Sequence, residues 1–182
     1  MNKKIEKEYK ILVTKEQFDT LLHLYDDYEV IDQLNVYYDT CDGRMKELRG
    51  GMRIRSIGNR YIFTIKFKHP EGHLELEKEV SSDCFEDIMN DCEIQSWFQE
   101  YGLNFPLVEI GRLRTIRHLH RSDVAELCFD VNEYNGMIDY EIEYEYVKEH
   151  DGLIVFQQLL SHVNVVYEKN CISKIGRTLN SL

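Results

Sequence analysis

Polar and apolar residues alternate over long stretches of this chain, and alternation of that period predicts strands. Residues two apart in a strand project to the same side. In residues 5–13, Glu6, Glu8 and Lys10 share one face while Ile5, Tyr9 and Ile11 share the other. Residues 52–56 and 61–68 flank Gly58-Asn59, and residues 128–133 and 137–146 flank Asn135-Gly136. Both dipeptides are two-residue hairpin signals. Residues 36–40, 74–80 and 113–118 bring the total to about eight antiparallel strands, which suggests a sandwich or a closed barrel.

Helical spacing is rarer. Thr14-Lys15-Glu16-Gln17 reads as a capping box, followed by Phe18, Leu21, Leu22 and Tyr25 on one face. A second helix is predicted over residues 85–101, burying Ile88, Met89, Cys92 and Trp97 and ending before Gly102. A third is predicted over residues 152–163, through Ile154, Val155, Leu159 and Leu160.

The polar faces of the strands differ in sign. Arg53 pairs with Arg55 and Lys66 with Lys68, whereas Asp130 stands with Asn132 and Glu141 with Glu143 and Glu145. A barrel with these charges outward would have a large aromatic interior, and its amphipathic helices would have no partner. The inverted arrangement sets the apolar faces under the helices and the charges inside. Such an interior is costly unless ions and water compensate it. Divalent cations and a polyphosphate would do so, because carboxylates ligate Mg²⁺ or Mn²⁺ and basic groups bond phosphate oxygens.

Composition fits this picture. A length of 182 residues suits one domain, residues 1–182, with a substantial core. A net charge of -11 argues against nucleic acid as a partner, since its phosphates would be repelled. No apolar run is long enough to span a membrane, and Met-Asn-Lys-Lys-Ile-Glu at the start lacks an apolar signal core. Cys41, Cys84, Cys92, Cys128 and Cys171 are odd in number and form no C-x-x-C pair, as expected of reduced thiols in a cytoplasmic protein.

The charged motifs, taken in order, resemble the CYTH domain, also called the triphosphate tunnel metalloenzyme family. They are Glu6-Lys7-Glu8-Tyr9-Lys10, Tyr37-Tyr38-Asp39-Thr40, Met52-Arg53-Ile54-Arg55, Thr64-Ile65-Lys66, and Gly111 with Thr115-Ile116-Arg117. Phe129-Asp130-Val131-Asn132, Asp139-Tyr140-Glu141-Ile142-Glu143 and Ser173-Lys174 follow. The likeness covers nearly the whole chain and is strongest to small bacterial members resembling inorganic triphosphatases.

The resemblance implies an α+β fold: an eight-stranded antiparallel tunnel with a charged interior and helices outside. It implies Mg²⁺ or Mn²⁺ as cofactor and hydrolysis of a triphosphate, foremost inorganic triphosphate, as activity. Thiamine triphosphatase and class IV-type adenylate cyclase are alternatives within the family, and a non-catalytic polyphosphate- or nucleotide-binding module is one outside catalysis. Glu6, Glu8, Asp130, Glu141 and Glu143 would be metal ligands, with Glu75 less secure because His73-Leu74-Glu75 replaces the Arg-x-Glu of many members. Lys10, Arg53, Arg55, Lys66, Lys68, Arg117 and Lys174 would hold phosphates. Lys10 would either transfer a proton at the reacting phosphate or act by charge alone. Arg114 has the opposite parity and is placed outside the tunnel, and one of Tyr37 and Tyr38 is a candidate substrate contact. His118 and His120 share a face but lack partners spaced for zinc, and Cys128 and Cys171 read as small hydrophobes. The motifs leave monomer or homodimer open.

Overall fold

The computed structural model describes residues 2–104 and 106–181. The first predicted strand is divided at Lys7 into β1 (Asn2–Glu6) and β2 (Glu8–Val13). Helix α1 (Lys15–Leu22), strand β3 (Glu29–Thr40) and helix α2 (Arg44–Glu47) follow, then β4 (Gly51–Ile57), β5 (Arg60–His69) and β6 (Gly72–Val80). Beyond them run α3 (Phe85–Ile88), α4 (Cys92–Tyr101), β7 (Leu107–Arg121), β8 (Ala125–Tyr134), β9 (Met137–Tyr146), α5 (Gly152–Ser161) and α6 (Lys174–Asn180).

The strands form one sheet in the order β1-β6-β5-β4-β3-β7-β8-β9-β2, every neighbouring pair antiparallel. Its two ends are therefore the two halves of one chain segment, which makes the sheet a nearly closed barrel. The count of nine among the described residues, rather than eight, reflects the break at Lys7, where the chain leaves β6 and joins β9. The Lys7 carbonyl accepts a hydrogen bond from the Tyr146 amide there. The outer edge of β2 is covered by a later segment: the Lys10 amide donates to Asn170 Oδ1 at 2.7 Å, and the Cys171 amide donates to the Lys10 carbonyl at 3.1 Å. Covering an edge in this way removes a template for aggregation.

The inverted arrangement is the one found. Met52, Ile54, Phe63, Ile65 and Leu76 point out of the barrel and are buried beneath Ile88, Ile94, Trp97 and Phe98 of α3 and α4. On the opposite side Phe129, Ile142 and Tyr144 pack under Phe18 and Leu21 of α1 and Phe156, Leu159 and Leu160 of α5. A smaller cluster of Tyr37, Leu113 and Tyr134, with Ile110 and Ile175, packs beside α6.

Several boundaries depart from the sequence pattern. The helix expected over residues 85–101 is two helices, because the Asp91 carboxylate accepts from the Glu93 and Ile94 amides and so caps a new start. The third ends at Ser161, and its Ile154 and Val155 face solvent. Helix α6 begins at the Ser173 cap, which the apolar pattern does not mark. Strands β3 and β7 are much longer than residues 36–40 and 113–118. In β3, Val30 is 58% exposed while Gln33 is 2% exposed, so the apolar-inside rule reads this strand inside out.

Turn chemistry follows the residues expected. Asn135 and Gly136 both have positive φ, as a tight hairpin requires. Gly111 is needed for a different reason: a Cβ there would lie 2.8 Å from Thr178 Cγ2 of α6.

Candidate active site

Antiparallel register places the charged residues in a common interior. Lys10 lies opposite Glu143, Arg117 opposite Asp130, Lys66 opposite Glu75, and Arg53 opposite both Tyr37 and Thr64. Side chains directly opposite in such a ladder share a face. Together they surround a cavity of about 360 Å³. Among the described residues, seven glutamates and eight lysines or arginines line it, so its charge is nearly balanced although the chain is strongly acidic.

Of the residues singled out from the sequence, Glu6, Glu8, Lys10, Arg53, Arg55, Lys66, Glu75, Arg117, Glu143 and Lys174 line this cavity. Asp130 and Glu141 lie behind that lining and have no exposed surface. Lys68 shares the strand face of Lys66 but stands at the far end of β5, exposed beside a separate hollow with Leu48, Arg49, His69 and Pro70. Arg114 faces outward, 52% exposed at its side chain, and pairs with Asp32 at 2.7 Å. Tyr37 lines the cavity, whereas Tyr38 is outside and packs edge-on against Phe85. His118 packs against Phe18 and Tyr28, and His120 Nδ1 lies 2.7 Å from the Asp27 carbonyl.

The acidic residues fall into two groups. In the deeper one, oxygens of Asp130, Glu141 and Glu143 approach within 4.8 Å of one another. Lys174 Nζ reaches all three, at 2.9, 2.8 and 2.7 Å, and Arg117 bonds both Asp130 oxygens and Glu143. Burial alone would raise the Glu143 and Asp130 pKa values, but Lys174 and Arg117 outweigh it and hold both below the ordinary carboxylate range. Glu141 differs: burial pushes it up to about 8 despite Lys174. The two glutamates thus take opposite directions, as coupled carboxylates do.

The shallower group joins Glu6, Glu8 and His73, with ligand atoms also within 4.8 Å of one another. Lys66 Nζ donates to Glu6 Oε2 at 2.5 Å, and Lys10 Nζ donates to Glu8 Oε1. Lys66 also stands 2.8 Å from Glu75 Oε2, too poorly aligned for a hydrogen bond. Burial works against the Lys10 ammonium, yet Glu8 and Glu143 outweigh it and hold its pKa above the usual value. Burial lowers the pKa of the His73 imidazole.

The basic side is only partly paired. Arg55 makes one hydrogen bond, from Nε to Asn35 Oδ1 at 3.1 Å, and no ion pair to a described residue. Burial, then repulsion from Arg53 and Arg117, pushes its pKa down to about 10. Arg53 Nε is buried without a hydrogen-bond partner. Neither half-buried guanidinium makes an ion pair with a described residue, although Glu75, Glu77 and Glu6 act on Arg53 from farther off.

Arg177 was not legible as a site residue. It lies within α6, donates to the Asp139 carboxylate from Nε at 2.8 Å, and also pairs with Glu141. The Ser173 cap two residues beyond Cys171 was the available signal, since it starts the helix that carries Lys174 and Arg177 inward.

Glu145 gives a direct test of the buried charge. Burial and the neighbouring Glu6 raise its pKa from 4.5 to about 7, even with Lys4 at 2.5 Å. The folded protein therefore retains a proton that the unfolded chain releases. This contribution to stability is complete below the unfolded value and is lost as pH rises through about 7. Glu145→Gln is expected to leave the melting temperature of chelator-treated protein unchanged at acid pH and to raise it by several degrees near pH 8. Equal shifts at both pH values would contradict the raised value.

A family model described as the CYTH domain matches residues 4–176. The chain is 26% identical over 170 residues to the Bacillus subtilis (strain 168) protein named "Putative triphosphatase YjbK", covering 91% of this chain and 90% of that protein. The crystal structure of a Bacillus halodurans protein described as a "putative adenylate cyclase" is 31% identical, with a TM-score of 0.81 over 97% of this chain and 98% of the other. A Hippeastrum protein, HpAC1, has the same fold at 21% identity, with a TM-score of 0.80 over 97% and 96% of the two chains. Its description, "putative adenylyl cyclase", is joined to a dominant triphosphatase activity of that protein. With the family model spanning nearly all of the barrel, this chain belongs to the CYTH domain family.

Proposed function

We propose that this protein is a divalent-metal-dependent triphosphatase whose preferred substrate is inorganic triphosphate. The observation that carries the reading is the pair Arg53 and Arg55, half-buried and without an ion pair among the described residues, in the cavity that Glu6, Glu8 and Glu143 also line. A tunnel with unpaired guanidinium groups facing carboxylates suits a polyanion that arrives with a cation. The similarity to a protein named as a triphosphatase agrees with this reading.

The donor set fits a hard divalent cation, because it is rich in carboxylate oxygens and has no thiolate. Glu6 and Glu8 would hold it, with Glu143, whose oxygens Lys174 and Arg117 also engage, and Glu75 beside Lys66 as further carboxylates. Asp130 and Glu141 would act from behind, holding Lys174, Arg117 and Arg177 in place. A bound Mg²⁺ or Mn²⁺ supplies Lewis-acid chemistry, neutralising phosphate charge and making water more acidic.

The chain's own residues do the rest. Arg53, Arg55, Lys66, Arg117 and Lys174 converge on the cavity and would bond the nonbridging phosphate oxygens, where charge spreads as the terminal P–O bond breaks. Lys10 is held protonated between Glu8 and Glu143, which favours charge stabilisation over proton exchange at Nζ. Lys68 stands outside this lining, beside the hollow it shares with Arg49, and would meet substrate only there.

The lining also argues for a bare triphosphate. Tyr37 is the only Phe, Tyr or Trp among its described residues, too little to grip a base or a thiazole ring. With Mg²⁺ or Mn²⁺ present, inorganic triphosphate should show a higher kcat/KM than ATP or thiamine triphosphate, yielding pyrophosphate and phosphate. A panel scoring phosphate, pyrophosphate and cyclic AMP release decides this. Cyclic AMP from ATP, or preference for thiamine triphosphate, would move the activity to the corresponding family alternative. Binding of triphosphate without turnover would leave a binding module.

A further inference from the structure

We propose that His73 is a nitrogen ligand to the metal held at Glu6 and Glu8, so that this tunnel selects Mn²⁺ or Co²⁺ over Mg²⁺ at that point. The inference deepens the metal-dependent reading above and rests on it.

The backbone fixes the three groups together. Glu6 and His73 are direct partners at the end of the β1–β6 ladder, and Glu8 follows two residues on, just past the break at Lys7. Gly72 enforces the approach. Its φ of +147° is rarely adopted by other residues, and a Cβ on it would overlap the Glu6 carbonyl oxygen. The close approach of the two backbones at this point brings the imidazole within 4.8 Å of the two carboxylates.

Each of the three groups keeps a free donor atom. Lys66 engages Glu6 through Oε2 and Lys10 engages Glu8 through Oε1, leaving Glu6 Oε1 and Glu8 Oε2 without hydrogen-bond partners among the described residues. The His73 ring has no hydrogen-bond partner among them either, and it lines the cavity. A half-buried ring open to the cavity leaves a nitrogen lone pair available to a cation beside Glu6 and Glu8. In the deeper group, by contrast, Lys174 and Arg117 already occupy the carboxylates, and Asp130 and Glu141 do not reach the cavity. Two oxygens and one nitrogen on one side of an open site match first-row transition ions, whereas Mg²⁺ favours an all-oxygen shell.

The test uses Mn²⁺ alone, on the full chain stripped of metal and without substrate. Pulsed electron paramagnetic resonance of substoichiometric Mn²⁺ should show ¹⁴N modulation in the wild type and lose it in His73→Gln. Calorimetric titration should show the Mn²⁺-over-Mg²⁺ preference falling at least roughly tenfold in that variant, the loss that removal of even an outer-shell partner can cause. The wild-type spectrum settles the ligand even if the variant folds poorly. Mn²⁺ binding without ¹⁴N modulation, or with modulation that persists in folded His73→Gln, overturns the assignment while the metal-dependent reading survives. Absence of any divalent binding, with or without triphosphate, overturns both.

Discussion

Glu143→Gln is expected to lower triphosphate turnover on the order of a hundredfold or more, since the charge stabilisation a metal supplies is worth several kcal/mol. Glu143 is the one carboxylate of the deeper group that also lines the cavity, and Lys174 and Arg117 hold it ionised. Glutamine keeps its shape but removes the charge that a cation needs. The substitution also leaves Lys174 and Arg117 with fewer anionic partners, and breaking a buried pair can cost about 3–5 kcal/mol of stability. Glu6→Gln provides the second reading, because Glu6 lies in the other acidic group and pairs with Lys66. It should lose comparable activity. Thermal melts separate lost chemistry from lost fold. Undiminished turnover of the wild type in excess chelator would end the metal-dependent account.

Arg55→Ala is expected to weaken triphosphate binding severely while leaving the unliganded protein as stable as before, or more so. A desolvated phosphate contact left unpaired costs about 2–5 kcal/mol, at least roughly thirtyfold in affinity. The stability expectation has the opposite origin. Arg55 has no ion pair among the described residues and is repelled by Arg53 and Arg117, so its removal relieves that repulsion when no anion is bound. Lys66→Ala should also weaken binding but should destabilise the protein, because Lys66 holds Glu6 and Glu75. Arg114→Ala should change binding little, as its partner Asp32 is on the exterior and exposed pairs are worth about 0–1 kcal/mol. Equal loss in Arg55→Ala and Arg114→Ala, measured by calorimetry with a nonhydrolysed triphosphate analogue, would place the phosphates elsewhere.

How far the primary structure reached depended on the kind of signal. The two-residue period alone determined that Glu6, Glu8 and Lys10, or Arg53 and Arg55, must share faces, because a strand leaves no other choice. The Thr14 capping box and the Gly58-Asn59 and Asn135-Gly136 turns were equally local, and each stands where expected. The ordering of charged motifs was enough to identify the family, and the family model covers the same span. Local pattern also misled where the interior is polar. Strand β3 extends back through residues 29–35, whose buried members are Gln33 and Asn35, so hydrophobicity could not mark its length.

Only the closed sheet decided the remainder, because it depended on which strands meet. The break at Lys7 lets one segment join β6 on one side and β9 on the other, and this closure brings Glu6 and Glu143 to a common cavity. Burial behind that lining keeps Asp130 and Glu141 off the cavity that Glu143 reaches, although all three are acidic residues of the same face. The inward turn of α6 adds Arg177 to the deeper cluster from a distance of 36 residues along the chain. Spacing along a strand is set by covalent geometry and can be read from the sequence. The sharing of protons, cations and ligand atoms between strands is set by distances of a few ångströms that arise only when the barrel closes.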